Sequence, residues 1–266
     1  MRKTVLITGA SSGIGYEFAK IFASNGDNVI LVARNEEKLF EIQKKLQEKY
    51  RIFAYVYAKD LSKENAAKEL FSEVTSDGHM VDYLINNAGF GDNHRYLHTD
   101  FETHEKMVKL NVLSLMELCH LFGRVMYNRG EGKILNVASI AAFTAGPYMS
   151  VYFASKAFVL SFSEALNEEF KSRNVSVTCL CPGPTYTNFG KTAEYDKSNA
   201  FRYLKPANAA DVAVTGYKAM MKNKPVALHG AHIKALAFFS RFTPRTINTK
   251  TSAFLNKGNV NNAHKL

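Results

Sequence analysis

Tyr152 and Lys156 in "YFASKAF" (152–158) lie four residues apart, a spacing that puts both side chains on one face of a helix. A phenol at its ordinary pKa of about 10 is a poor acid or base at neutrality. A nearby ammonium favours the phenolate, and the pair can then exchange a proton with a carbonyl or hydroxyl oxygen. In a chain with 13 tyrosines the spacing alone means little. Its weight comes from Ser139, thirteen residues before Tyr152 and directly after the apolar run "KILNVAS", where the end of a strand would present a hydroxyl to the same oxygen.

A second constellation opens the chain. In "TVLITGASSGIG" (4–15) an apolar run is followed by Gly9, Gly13 and Gly15. Gly9 permits a tight turn, Gly13 lets backbone approach a diphosphate, and Gly15 lets the following helix sit close to the sheet, its free N–H groups aimed at anionic oxygens. The spacing is wider than GxGxxG, and no Gly-Lys-Ser/Thr follows, so a dinucleotide is favoured over ATP. The next apolar run, "VILVARNEEK" (29–38), puts Arg34 where a NAD site usually holds an acid. A guanidinium there can stack on adenine and bind a 2′-phosphate, with Asn35 and Ser11 as further donors, which points to NADP. Asp60, after the third run, is expected to face the adenine amino group.

These residues need elements to hold them. Short apolar runs at 4–9, 28–34, 51–61, 82–89, 132–140 and 175–183 read as strands, several continuous enough to be covered on both faces. Amphipathic segments at 13–25, 36–49, 63–76, 101–128 and 153–172 read as helices between them. The alternation predicts one α/β domain over 1–266 with a doubly wound, mostly parallel sheet and helices on both faces. From 184 to 205 the pattern lapses into a polar, aromatic-rich stretch, expected to be a substrate lid at 186–205.

Composition agrees with a single large core: 266 residues, 46% hydrophobic and 22% charged. The apolar run after Arg2 and Lys3 is too short for a signal peptide, and no stretch approaches the roughly 20 apolar residues of a spanning helix, so the chain reads as cytoplasmic. Cys119, Cys179 and Cys181 are odd in number and set in apolar runs, which argues against a disulfide framework or zinc. The net charge of +10 comes without a zinc finger, aromatic platform or isolated basic arm, and so points away from nucleic acid.

Taken together, "TGASSGIG" (8–15), "NNAG" (86–89), Asn111, Ser139, Tyr152, Lys156 and "PGPTYT" (182–187) resemble the signatures of the classical short-chain dehydrogenase/reductase family, over residues 1 to about 190. The resemblance implies an NADP-dependent oxidoreductase interconverting C=O and CH–OH groups. It implies that Ser139 polarises the carbonyl, Tyr152 exchanges the proton, Lys156 binds the nicotinamide ribose and lowers the tyrosine pKa, and Asn111 holds a water in a proton relay. The implied cofactor site takes in Gly9, Ser11, Ser12, Gly13, Ile14, Gly15, Arg34, Asn35, Asp60, Leu61, Asn87, Ala88, Gly89, Tyr152, Lys156, Pro182, Gly183, Thr185 and Thr187. Asn86 resembles a residue that stabilises the central strand. Pro182 and Gly183 are implied to leave room at the nicotinamide face. The stretch 139–166, with "LAFFSRFTPR" (236–245), is similar to a branch of various substrate specificities related to ketoacyl and hydroxysteroid reductases.

Phe90, Phe143, Tyr148, Met149, Tyr186, Phe189 and Tyr195 are candidates for an apolar pocket around the carbonyl. Lys191, Lys197 and Arg202 in the lid would steer an acidic or acyl-thioester tail, so a hydrophobic ketone, aldehyde or oxoacyl ester is the expected substrate. Two other readings compete. His94, His98 and His104 would be the ligands of a metal site, though no helix spacing fixes all three, and no metal is expected. An NADP-binding redox sensor or scaffold is the other, opposed by the full set of reacting groups. The apolar C-terminal helical extension at 226–255, above all "IKALAFFSRF" (233–242), needs cover. A homodimer or homotetramer interface is expected there, with peripheral membrane contact as the alternative. The tail from 256 onward is expected to fray.

Overall fold

A computed structural model describes residues 2–257. Its centre is a seven-stranded sheet, all pairs parallel, in which successive strands are joined by helical crossovers. In chain order the first elements are β1 (Thr4–Thr8), α1 (Gly13–Ser24), β2 (Asn28–Ala33), α2 (Glu36–Tyr50), β3 (Ala54–Ala58), α3 (Ala66–Ser76) and β4 (Tyr83–Asn86). There follow α4 (Phe101–Val108), a π-helical segment (Lys109–Ser114), α5 (Leu115–Arg129), β5 (Gly132–Val137), α6 (Ser150–Phe170) and β6 (Val175–Cys181). The remainder comprises β7 (Thr185–Tyr186), α7 (Asn188–Thr192), α8 (Asn199–Tyr203), β8 (Ala207–Asn208), α9 (Ala209–Met221), β9 (Val226–Leu228), α10 (Ala231–Phe239) and α11 (Arg245–Asn256).

The strand order is β3-β2-β1-β4-β5-β6-β9. The chain winds outward from β1 to β3, then crosses back to lay β4 on the other side of β1. At that reversal the crossover leaving β1 through α1 and the one leaving β4 through α5 lie on opposite faces, which opens a crevice at the carboxyl ends of β1 and β4. Alternate strand residues feed two separate cores. Val5, Ile7, Val29 and Leu31 pack under Phe18 and Phe22 of α1, Leu39 and Leu46 of α2, and Val212 and Met220 of α9. Leu6, Ile30, Leu84, Ile134 and Val177 pack under Leu70 of α3, Leu118 and Phe122 of α5, and Val159 of α6. Burial on both faces explains why the strands read as continuous apolar runs.

Six strands and five helices stand where the sequence predicts them, with three departures. The predicted helix 101–128 is interrupted at Lys109–Ser114 by the π segment, which carries Asn111. The stretch read as an irregular lid folds instead into α7, a short 3-10 turn and α8, tied at its base by the parallel pairing of β7 with β8. The C-terminal extension begins not as a helix but as β9, a seventh sheet strand of three residues, too short for a periodicity to register. Residues 258–266, including most of the tail expected to fray, lie outside the described residues. No helix among the described residues is long and apolar enough to cross a membrane.

A polar stitch runs through the second core. Asn86 on β4 donates from Nδ2 to Asn136 Oδ1 on β5 at 2.9 Å and to Cys119 Sγ on α5 at 3.2 Å, and Asn136 Nδ2 donates to Ser163 Oγ on α6 at 2.9 Å. This is the strand-stabilising place expected of Asn86, and all three polar side chains are 3% exposed or less. An Asn136→Ala protein leaves the Asn86 amide only its weak sulfur acceptor on Cys119 and takes one donor from Ser163 Oγ, which keeps its bond to the Val159 carbonyl. It is expected to lose roughly 1–3 kcal/mol, about the cost of one buried polar group left poorly partnered. A thermal unfolding transition lowered by several degrees is the readout, and an unchanged transition would contradict the stitch.

Candidate functional site

The site is built on the crevice between β1 and β4. Gly9 and Gly13 sit at φ +65 and +55, the left-handed region that suits glycine, so the backbone after β1 folds back on itself. Thr8 anchors the turn from below: its Oγ1 accepts from the backbone N–H groups of Asn87 and Ala88, each at 3.0 Å. The Asn87 amide returns the contact by donating to the carbonyls of Thr8 at 3.0 Å and Gly9 at 3.2 Å. Gly15 has no room for a side chain, because a Cβ would lie 2.3 Å from the Gly9 carbonyl oxygen. It therefore does bring α1 close to the turn. Ser12, the residue before α1, is extended and makes no side-chain capping bond to the helix.

From this turn a cavity of about 1010 Å³ runs across the carboxyl edge of the sheet. It gathers every predicted cofactor residue except Gly15, which lies behind the wall, and every predicted catalytic residue except Asn111. At the end near β2 and β3 the wall includes Arg34, Asn35, Asp60 and Leu61. Arg34 is exposed at the rim. Asn35 caps α2, its Oδ1 accepting from Lys38 N at 2.8 Å, a use that engages the amide oxygen and not the Nδ2 donor. Asp60 accepts from Ser62 N at 3.0 Å and Ser62 Oγ at 2.6 Å. Burial pushes its carboxyl up, but the Ser62 bonds and the nearby Arg34 charge outweigh that and leave it below the usual range. Lys59, Lys63 and Lys106 also line this end. Sequence reading missed them, since Lys106 arrives from α4, far away in the chain.

At the opposite end Ser139, Tyr152 and Lys156 converge. Ser139 leaves the end of β5 and its Oγ accepts from Ala141 N at 3.1 Å, which opens a single 3-10 turn. Tyr152 and Lys156 project from the first turns of α6, and Lys156 Nζ donates to the Val137 carbonyl at 2.8 Å. That nitrogen lies 5.7 Å from the Tyr152 ring centre. Burial dominates both groups. It pushes the Tyr152 phenol up to about 12, with the Ser139 hydrogen bond pulling the other way. It also lowers Lys156 to about 8. Desolvation of the phenolate sets the direction of the Tyr152 shift, and Lys156 is not among the groups that move it. The Tyr152 phenol so raised keeps its proton at neutral pH.

Asn111 is fully buried behind the wall. Its Oδ1 accepts from Phe90 N at 3.1 Å, while its Nδ2 donates to the Phe90 carbonyl at 2.9 Å and to Ser155 Oγ at 3.2 Å. The amide is spent on holding the chain after β4 against α6, with one lone pair left over. Gly89 presses on it so closely that a Cβ would lie 2.9 Å from Asn111 Oδ1.

Pro182, Gly183, Thr185 and Thr187 form the far wall after β6. Thr187 covers the glycine turn, with its Cγ2 3.0 Å from where a Gly13 Cβ would stand. Gly183 is bare on the side of α10, where a Cβ would meet Ile233 Cδ1 at 2.5 Å, so it makes room for a C-terminal helix. Of the candidate pocket residues, Phe90, Met149, Phe189 and Tyr195 line the cavity, joined by Phe153 and Phe201. Phe143 packs instead against the second core, and Tyr186 faces solvent with its ring edge on Phe201. Tyr148 takes a left-handed φ of 69 and is not part of the cavity wall. Lys197 and Arg202 line a smaller hollow with Lys257, separate from the cleft but sharing Phe201 with it, and the side chain of Lys191 lies outside the described residues. His94 hydrogen-bonds Asp92 at 2.8 Å and His104 stacks on Tyr96.

The glycine turn fits a diphosphate: Gly9 and Gly13 carry no side chain, Ser11 and Ser12 line the cleft between them, and the turn leads into the amino end of α1. Comparison with known proteins agrees. The short chain dehydrogenase family model matches residues 3–198. Probable oxidoreductase EphD of Mycobacterium tuberculosis is 30% identical over 261 residues, covering 91% of this chain and 43% of that protein, so the chain spans less than half of that relative. The very-long-chain 3-oxoacyl-CoA reductase of Rattus norvegicus is 29% identical over 208 residues, covering 76% of this chain and 66% of that one. A solved short-chain dehydrogenase from Sphingobium yanoikuyae, in complex with NADPH, superposes with a TM-score of 0.79 at 26% identity, over 90% of this chain and 93% of the other. With the glycine turn, the reacting end and the family match all falling within the same parallel sheet, the chain belongs to the short chain dehydrogenase family.

Proposed function

We propose that the protein reduces a hydrophobic carbonyl compound with NADPH. The observation behind this reading is one continuous cavity with Arg34 at one end and Ser139, Tyr152 and Lys156 at the other. NADPH, when bound, supplies the hydride. The glycine turn and the amino end of α1 hold its diphosphate, and Arg34 pairs with the 2′-phosphate where no acid competes at the end of β2. Asp60 is proposed for the adenine end, and Thr185 and Thr187 for the carboxamide side.

At the reacting end Ser139 donates its hydroxyl proton in a hydrogen bond to the carbonyl oxygen, which favours the negative charge that develops there. Tyr152 gives its phenolic proton to that oxygen. Lys156 holds the cofactor ribose, and its charge stabilises the phenolate left behind. Asn111 acts as a brace, fixing the chain after β4 relative to α6. Phe90, Met149, Phe189 and Tyr195 exclude water and give the site its preference for apolar substrates, with 186–205 as lid. The long-chain acyl substrate in the name of the rat relative favours an oxoacyl thioester or similarly bulky ketone over a sugar.

Arg34→Ala is expected to weaken NADPH binding at least tenfold and leave NADH binding nearly unchanged, since a phosphate-directed charge-assisted bond contributes about 1.5–3 kcal/mol. Titration calorimetry with both cofactors checks it, and equal losses would remove Arg34 from the phosphate. Tyr152→Phe should bind NADPH normally yet lose about 10²- to 10⁴-fold in single-turnover reduction. Retained turnover would remove the proposed proton donor.

Because burial holds Lys156 near 8, its ammonium neutralises as pH rises through that value. Cofactor affinity, read by nucleotide fluorescence, should fall above about pH 8, and the Lys156→Met protein should lack that step. The same shift sets a stability trend. Between about 8 and the ordinary 10.5 the unfolded chain holds a proton that the folded one lacks, so the burial penalty on Lys156 is relieved with rising pH across that window.

A further inference from the structure

The protein's positive charge is not spread evenly. Every one of its 24 acidic residues lies at or before Asp211, and the 55 residues from Val212 to Leu266 hold nine Lys and Arg and no Asp or Glu. The first 211 residues are close to neutral, with 25 cations against 24 acids. No ion pair among the described residues uses a cation beyond Asp211.

The same segment carries an unusual apolar surface. On α10 and the turn after it Phe238, Phe239 and Phe242 form one aromatic cluster, with ring centres 5.5 and 5.2 Å apart. Phe239 is 63% and Phe242 72% exposed. The opposite side of the segment is fully engaged. Ile233 and Ala237 are buried, Asn248 Nδ2 donates to Ser240 O at 2.8 Å and pins the turn, and Ser252 Oγ lies 2.9 Å from Thr144 Oγ1. The phenylalanines are thus presented on a fixed platform, interleaved with the exposed cations Lys234, Arg241 and Arg245.

We propose that this face docks the protein on an anionic lipid membrane surface. Phenylalanines between lysines and arginines match a bilayer interface, where rings enter the acyl boundary while cations stay at the headgroups. Charge separates this occupant from a second copy of the chain. A symmetric dimer through the same patch would oppose Lys234, Arg241 and Arg245 to their own copies with no carboxylate on the segment to neutralise them. The platform also adjoins the reacting end of the cleft, since Ile233 of α10 packs against Gly183. An apolar substrate carried in the bilayer would therefore meet the enzyme near its pocket. The docking itself stands on the surface chemistry and requires no particular substrate.

The test is flotation of the whole protein with vesicles of phosphatidylcholine alone or with about 30% phosphatidylglycerol, enough for a strong negative surface potential. Binding is expected to the anionic vesicles only and should weaken sharply in high salt. A Lys234→Gln, Arg241→Gln, Arg245→Gln protein should lose on the order of a hundredfold in partitioning, from about fivefold per cation near the surface. A Phe239→Ser, Phe242→Ser protein should also lose most of its binding. In both variants NADPH affinity and the thermal transition serve as the fold control, and the Gln variant leaves the apolar packing untouched. Absence of binding to anionic vesicles, or equal binding to phosphatidylcholine, overturns the proposal. So does a stable dimer in sedimentation velocity that the serine variant dissociates, which would assign the face to a second copy.

Discussion

A single threonine hydroxyl joins the two strand ends on which the cleft depends. Thr8 Oγ1, 2% exposed, accepts from two consecutive backbone N–H groups after β4, while the Asn87 amide caps the carbonyls at the end of β1. Where the strand order reverses, backbone groups emerge from the sheet with no ladder partner, and buried groups of that kind must be satisfied or left to a ligand. This exchange satisfies those of β1 and β4 with each other. It leaves the N–H groups at the start of α1 free toward the cavity, and it fixes the glycine turn at the spacing the cavity needs.

The reacting end obeys a different constraint, the cost of charge away from water. The sequence places Tyr152 and Lys156 on one helix face but says nothing of how deep that face lies. Lys156 is 4% and Tyr152 9% exposed, and desolvation then decides the protonation of each. The Val137 carbonyl gives the ammonium a fixed partner without neutralising it. A buried ammonium of this kind keeps donors for further oxygen acceptors, and the phenol beside it keeps its proton.

What was legible in the sequence follows from periodicity and local chemistry. Strands buried on both faces, glycines in a turn and a Tyr-xxx-Lys pair are short-range signals, and the fold and most of the cavity wall could be drawn from them. The gaps arose where long-range packing decides. The helix-capping use of the Asn35 oxygen and the packing of Ile233, fifty residues on, against Gly183 give second roles to two residues of the cavity wall. Lys106 reaches the end of the cavity near β2 and β3 only because α4 folds over it. The clustering of every acid at or before Asp211 was legible without any structure, but a net charge averaged over the chain conceals it.

The π segment at Lys109–Ser114 has a consequence for how the helix it interrupts can vary. A π turn holds one residue more than an α turn, so the segment amounts to a single insertion in an otherwise regular rod. Because the wide turn absorbs the extra residue, deleting it would restore the regular ladder and leave α4 and α5 nearly in phase. The change would fall on the residues inside the turn: Asn111 would lose its place against the Phe90 backbone, while Met107 and His104 on α4 would keep their buried positions. The local geometry gains from the deletion and the tertiary structure loses. The extra residue is thereby what holds Asn111 within reach of the chain after β4.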